Sequence, residues 1–196
     1  MPTCESCLQG KMSNLPFSGK RERVIELLEL IHTDVCGSLS TTSRGGFSYF
    51  IMFIDDYSRL GYVYLIQYKS EAFEKFKEFK KEVEKKTGKS IKILRSDRGG
   101  EYSSTEFLEY LKKHGILSQW TPPRTPQLNG VSERRNRTLI VMVQSMMSYT
   151  DLPVSFWGYA LQIAAYLLNR VPSKFVPKTP YEMWFGRKPS LNHLKI

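Results

Sequence analysis

Asp34, Asp97 and Glu133 are the residues of this chain whose positions suggest chemistry. With 19 acids in 196 residues, some Asp…Asp…Glu triple always exists, so the contexts carry the weight. Each of these three sits at the end of a predicted strand or at the start of a predicted helix. Between Asp97 and Glu133 lie 35 residues (98 through 132), room for one helix, one strand and a loop before the chain returns. Three carboxylates drawn to one point repel each other unless a cation neutralises them. An oxygen-only, carboxylate-rich site suits Mg²⁺ or Mn²⁺ rather than zinc. Such a site serves phosphoryl transfer, because two ions ~4 Å apart stabilise both the attacking and the leaving oxygen.

The elements that must deliver these acids can be read from periodicity. Leu30 to Cys36 reads as a strand ending at Gly37, and alternation puts Leu30, His32 and Asp34 on one face. The competing use of Asp34 is to cap the turn at Gly37-Ser38. Phe47 to Ile54 is a nearly continuous apolar run, as expected of a central strand buried on both faces. The turn Asp55-Asp56-Tyr57-Ser58-Arg59 returns it into Gly61–Ile66, an antiparallel hairpin. Asp55 and Asp56 are therefore expected to shape a turn rather than to catalyse. Ser70 to Lys86 reads as a helix with Ser70 as N-cap and Phe73, Phe76, Phe79 and Val83 as its buried stripe. The Lys and Glu residues between them form a solvated face. Ile91–Ser96 is a strand that delivers Asp97, with Glu101 close behind in sequence. Ser104 to His114 is a second amphipathic helix and Ile116–Trp120 a fifth strand.

The remaining helices follow a Pro-rich loop. Val131 to about Tyr149 is the helix that opens with Glu133, with Asn136 and Arg137 on the same face. Met142, Val143, Met146 and Met147 read as core bulk. Val154 to Arg170 is a further apolar helix, ended by Pro172. Three strands, helix, strand, helix, strand and helix make a mixed five-stranded α/β sheet with helices on both faces: a three-strand antiparallel meander plus two parallel strands. Residues 24–172 are expected to form this core, 1–23 a small N-terminal remnant with a basic linker, and 173–196 an extended basic arm.

The charge balance points outward. A formal net charge of +10 favours a polyanionic partner, with nucleic acid first. DNA contacts are expected from the loop 122–130, through Arg124, Gln127, Asn129 and Gly130, and from Arg134, Arg135, Asn136 and Arg137. The other reading of Arg134 and Arg135 is a solvated helix end. No stretch approaches the ~18 apolar residues of a membrane span. Three cysteines make no disulfide framework, which suits a reducing compartment. Cys4 and Cys7 have the spacing of half a zinc site; the alternative is two free thiols.

Four segments together carry a resemblance: His-Thr-Asp34-Val-Cys-Gly, Ile-Asp-Asp-Tyr-Ser-Arg, Arg-Ser-Asp97-Arg-Gly-Gly-Glu-Tyr and Gln-Leu-Asn-Gly-Val-Ser-Glu133-Arg-Arg-Asn-Arg-Thr. They resemble the integrase of copia-type LTR retrotransposons, within the retroviral integrase superfamily, from Cys4 to the C-terminus. The resemblance implies an RNase H-like fold, a catalytic and metal-binding triad of Asp34, Asp97 and Glu133, and two Mg²⁺ (or Mn²⁺) ions. Asp34 would then bridge both ions. It implies 3′-end processing and insertion of element cDNA into host DNA by a homo-oligomer. It also implies a route through a cytoplasmic virus-like particle to the nucleus. Cys4 and Cys7 match the last two ligands of the family's His-His-Cys-Cys domain, whose His pair would precede Met1. Zinc is expected only where that pair is present. Two other readings stay open: a related nuclease or transposase using the same acids, and a nucleic-acid-binding module without catalysis.

Overall fold

The computed structural model describes residues 24–121, 130–172 and 176–190. Its centre is one five-stranded sheet: β1 (Leu30–Gly37), β2 (Tyr49–Asp55), β3 (Gly61–Ile66), β4 (Ile93–Ser96) and β5 (Leu117–Trp120). The spatial order is β3-β2-β1-β4-β5. β1, β2 and β3 pair antiparallel, while β4 pairs parallel with both β1 and β5. The mixed meander-plus-parallel arrangement is the expected one. β4 and β5 are shorter than the apolar runs that suggested them, and β5 is an exposed edge.

Successive residues of each strand point to opposite faces of the sheet. Ile31, Val35, Ile51 and Phe53 pack beneath α1 (Ala72–Thr87) and α2 (Thr105–Lys113). Their neighbours Cys36, Phe50, Met52 and Ile54 pack beneath α3 (Gly130–Ser148) and α4 (Trp157–Leu168). The first face is aromatic and closed. Phe53 and Phe79 stack with ring centroids 4.6 Å apart, and Phe76 tilts against Phe107 at 5.3 Å. The stripe Phe73, Phe76, Phe79, Val83 is buried as its spacing predicts.

Four sequence expectations change. Ser70 does not cap α1: a 3-10 turn, Lys69–Glu71, precedes the helix, and the Glu71 carboxylate accepts from the backbone of Gln67 and Tyr68, each at 2.8 Å. A carboxylate placed to take two orphan N–H groups does more than one hydroxyl. Met142, Val143 and Met146 pack against the second core cluster as expected but stay half-buried, and Met147 is half-buried as well. The start of the Val154 helix is a 3-10 turn, Val154–Phe156, that leads into α4.

The fourth change concerns the expected extended arm. Within 173–196 the chain forms α5 (Pro180–Phe185). Thr179 and Glu182 cap it reciprocally: the Thr179 hydroxyl accepts from Glu182 N at 3.1 Å, and the Glu182 carboxylate accepts from Thr179 N at 3.1 Å. Pro180 opens the helix and Gly186 closes it with φ +68°. Trp184 then reaches back to the aromatic core, edge-on to Tyr62 at 6.1 Å. Burying that indole outweighs leaving the arm extended in water. No helix among the described residues is long and apolar enough to cross a membrane.

Candidate active site

The sheet brings the first two acids together by register. His32 pairs with Arg95 across the parallel β1–β4 boundary. Carrying that register two residues on sets Asp34 beside Asp97, on the face covered by α3. Gly37 ends β1 with φ +127°; a Cβ there would stand 2.8 Å from the Ser48 carbonyl oxygen, so only glycine fits. β4 stops at Ser96. The Asp97 carboxylate then turns the chain by accepting from Gly99 N at 3.0 Å.

α3 supplies the third acid and a partner. Glu133 lies in its first turn, where the helix dipole favours a negative charge. Asn136, one turn on, is 5% exposed, and its amide donates to Asp34 Oδ2 at 2.8 Å. The carbonyl oxygen of the same amide is buried and has no hydrogen-bond partner among the described residues. Asn136, expected as a DNA contact, is buried here and donates to Asp34. Its helical spacing from Glu133 was the available signal.

The electrostatics converge on Asp34. Burial pushes its carboxyl up to about 7, and the charges of Asp97, Glu133 and Glu101 push the same way against the Asn136 hydrogen bond. The acids of β1, β4 and α3 therefore share one electrostatic neighbourhood, and Glu101 belongs to it as a fourth. The Glu101 carboxylate folds back over Gly99, where a Cβ would stand 2.7 Å from it. Beside it, the Tyr102 hydroxyl pairs with the Thr33 hydroxyl at 3.0 Å, which ties the loop after β4 to the strand that carries Asp34. Burial also raises the Cys36 thiol to about 11, with Asp34 adding to the effect, so this cysteine is no nucleophile at neutral pH.

Among the described residues, no three His, Cys, Asp or Glu side chains stand close enough to form a ready-made metal site. The carboxylates share a field without being drawn to ligand distance. Their chemistry nonetheless fits a hard divalent cation: oxygen donors only, excess negative charge, and a buried amide oxygen without a partner beside them.

The decoy acids have structural employment. Asp55, 1% exposed, accepts from Leu28 N at 2.8 Å and from both the backbone and the hydroxyl of Ser58 at 2.7 Å. Asp56 lies between buried His32, 2.9 Å away, and Arg59, 3.0 Å away. The charge run on α1 is spent on itself, through pairs such as Lys80–Glu84 and Lys75–Glu78.

Arg134 and Arg137 are exposed on α3 near the acids. Arg135 turns away from them. Its guanidinium donates to Asn169 Oδ1 at 2.7 Å, and Asn169 also bridges both backbone groups of Gly61. Asn169 is a link between the hairpin, α3 and α4 that the sequence did not single out. Gly130 is the first residue of α3. Arg124, Gln127, Asn129, Cys4 and Cys7 lie outside the described residues.

A family model described as "Integrase core domain" matches residues 27–126, the sheet from its first strand through its last. Over 98% of its length the chain is 46% identical to the retrovirus-related Pol polyprotein from transposon TNT 1-94 of Nicotiana tabacum. It spans 15% of that relative's length. A chain of the simian T-cell lymphotropic virus intasome, solved in complex with a PP2A regulatory subunit, superposes with a TM-score of 0.70 at 18% identity. That match covers 92% of this chain and 63% of that one. The HTLV-2 integrase catalytic core domain in complex with magnesium superposes with a TM-score of 0.58 at 17% identity, over 80% of this chain and 95% of that one. At such identities the likeness is one of fold, and the fold is RNase H-like.

Proposed function

The chain belongs to the integrase core domain family, in the form found in copia-type retrotransposon Pol polyproteins, and from that premise we propose that it catalyses metal-dependent phosphoryl transfer on DNA, processing 3′ ends and joining element cDNA to target DNA. One observation carries the reading: Asp97, Glu133 and Glu101 all act on a half-buried Asp34 from separate elements of the fold. Fixed scaffolds hold mutually repelling carboxylates together at a cost, and a divalent cation removes that cost.

The roles follow from placement. Asp34, Asp97 and Glu133 would hold the ions, with Asn136 setting the rotamer of Asp34. Bound divalent ions supply Lewis-acid activation of a water or a DNA 3′-hydroxyl and stabilise the leaving oxygen. Burial and the neighbouring acids hold the Asp34 carboxyl up near neutrality, so binding of a cation there would favour its charged form. Arg134 and Arg137 provide phosphate contacts that confer affinity without sequence choice. The solved HTLV-2 relative holds magnesium, which supports the same assignment of ion. Self-association belongs to the proposal as well: that relative is described as a trimeric form, and Tyr159 and Ile163 lie exposed on α4.

A Mn²⁺-dependent disintegration assay on branched DNA tests this, with wild type beside Glu133→Gln. Joined product from the wild type and none from the variant is the expected result. Equal activity in both removes Glu133 from the mechanism, and nicked product without joining would assign a nuclease instead.

A further inference from the structure

The helix that carries Glu133 is held from a second side, by groups that touch none of the acids. Asn136 anchors α3 to β1 through Asp34. Its chain neighbour Arg135 points about 100° away round the helix and runs inward to the hairpin. The Arg135 guanidinium donates to Asn169 Oδ1 at 2.7 Å and to the Arg59 carbonyl at 3.5 Å. The Asn169 amide in turn donates to Gly61 O at 2.8 Å and accepts from Gly61 N at 2.9 Å. A Cβ on Gly61 would stand 3.5 Å from the same guanidinium, so the hairpin packs directly on it.

The hairpin is also tied to the strand that carries Asp34. Arg59 holds a left-handed backbone, φ +63°, which few residues other than glycine adopt. Its guanidinium is 3.0 Å from Asp56 Oδ1, and that oxygen is 2.9 Å from Nε2 of buried His32, two residues before Asp34 on β1. One polar chain therefore joins β1, through His32 and Asp56, to the first turn of α3, through Arg135 and Asn169. A single hydrogen bond lets a helix roll about its axis, whereas two on different sides of one turn fix the roll. Glu133 sits in that turn, and misplacing a reacting group by about 1 Å costs on the order of 10² in rate.

Stability does not account for the choice of arginine. The hydrogen bonds of Arg135 go to neutral oxygens, and burial and the nearby Arg59 charge lower its guanidinium to about 10. An apolar side chain of similar volume carries no such desolvation cost. We propose that Arg135 and Asn169 are positioning residues, which set the roll of the first turn of α3 and so bring Glu133 and Asn136 to Asp34. The proposal rests on the reading of Asp34, Asp97 and Glu133 as the catalytic acids, and adds the hairpin and the end of α4 to what aligns them.

The test compares Arg135→Met, Asn169→Leu and Arg135→Lys with wild type in the whole chain. The side-chain amide peak of Asn136 in a proton–nitrogen correlation spectrum, recorded in EDTA, reports its contact with Asp34. Thermal melting reports stability, and Mn²⁺-dependent disintegration, with kcat separated from KM, reports chemistry. Arg135→Met is expected to melt no lower than wild type and to shift the Asn136 peak. Its kcat should fall by ~10–10²-fold while KM for DNA stays within about threefold. Asn169→Leu should move the peak and kcat alike, and the double variant should be no worse than Arg135→Met, since both break one link. Arg135→Lys keeps a donor for Asn169 and should recover most of kcat. Wild-type kcat with an unmoved Asn136 peak in folded Arg135→Met overturns the proposal. A kcat that falls in step with the melting temperature while the peak stays also overturns it, and makes the pair merely structural. If Arg135→Met does not fold, Asn169→Leu against Arg135→Lys decides by the same readouts. A wild type without disintegration activity removes the catalytic reading, and the Asn136 peak in EDTA still decides whether Arg135 positions the turn.

Discussion

The two faces of one sheet are built to opposite specifications. Under α1 and α2 the side chains of β1 and β2 are Ile31, Val35, Ile51 and Phe53, locked into stacked aromatic rings. Under α3 and α4, the alternate residues of the same β1 are His32, Asp34 and Cys36, and the helix above adds Asn136 and Glu133. The first face buries mainly aliphatic and aromatic side chains, with the Tyr64 hydroxyl left without a partner among the described residues. Among the described residues, the second keeps a carboxyl near pKa 7, an amide oxygen without a partner and an arginine bonded to neutral oxygens. The first face is closed by packing, while the second, which has an apolar cluster of its own, also holds groups that a ligand would complete.

This contrast can be broken in four places. The largest effect is expected from Glu133→Gln, which should lower strand transfer by at least ~10²-fold with the melting temperature unchanged. A variant that unfolds would show that the acid face also bears stability. Next comes Phe79→Ala on the opposite face, expected to cost about 3–5 kcal/mol in denaturant unfolding. If its surviving folded fraction joins DNA at the wild-type rate per molecule, the division of labour holds. A cost below ~1 kcal/mol would mean that the aromatic stack is not the structural half.

Asp34 sharpens the comparison through pH. Its folded carboxyl is raised to about 7 from 3.8, so the native state binds the proton more tightly than the unfolded chain does. That contribution to stability is fully present below pH ~4 and is lost as pH rises through ~7. Asp34→Asn should therefore flatten this part of the pH–stability curve. In EDTA at pH 8 it should be more stable than wild type by on the order of 2 kcal/mol. Magnesium should narrow the gap by stabilising the wild type alone. A variant less stable than wild type at pH 8 would deny that the acids press on Asp34. The smallest effect belongs to Glu101→Gln, which relieves one repelling charge. The Asp34 titration, followed by carbon NMR, should move down by a fraction of a pH unit, and activity should change less than ~10-fold. Inactivation as deep as that of Glu133→Gln would make Glu101 a ligand.

Much of this was legible along the chain. The stripe Phe73, Phe76, Phe79, Val83 fixes which side of α1 is buried, because a helix repeats its face every three to four residues. The hairpin followed from the short turn between two apolar runs, and Asp97 and Glu133 stood out by lying at element ends. Local periodicity and turn chemistry also sufficed for the strand count and for the mixed sheet. Asn136 and Asn169 were not legible as partners of Asp34 and Gly61, since 102 and 108 positions separate the members of those bonds. Nor was the inward turn of Arg135. The arm after Pro172 read as extended because its prolines and lysines are poor core material, and nothing local says that Trp184 finds Tyr62.

By itself the sequence determined the repertoire: which residues could ligate, which faces were apolar, and where elements start and stop. Those properties depend on side-chain type and on spacings of a few residues. The tertiary structure alone decided which acids feel each other, which asparagine holds which carboxylate, and which arginine turns inward to an asparagine. Coulomb forces and hydrogen bonds act through space over a few ångströms, and distance along the chain carries almost no information about them.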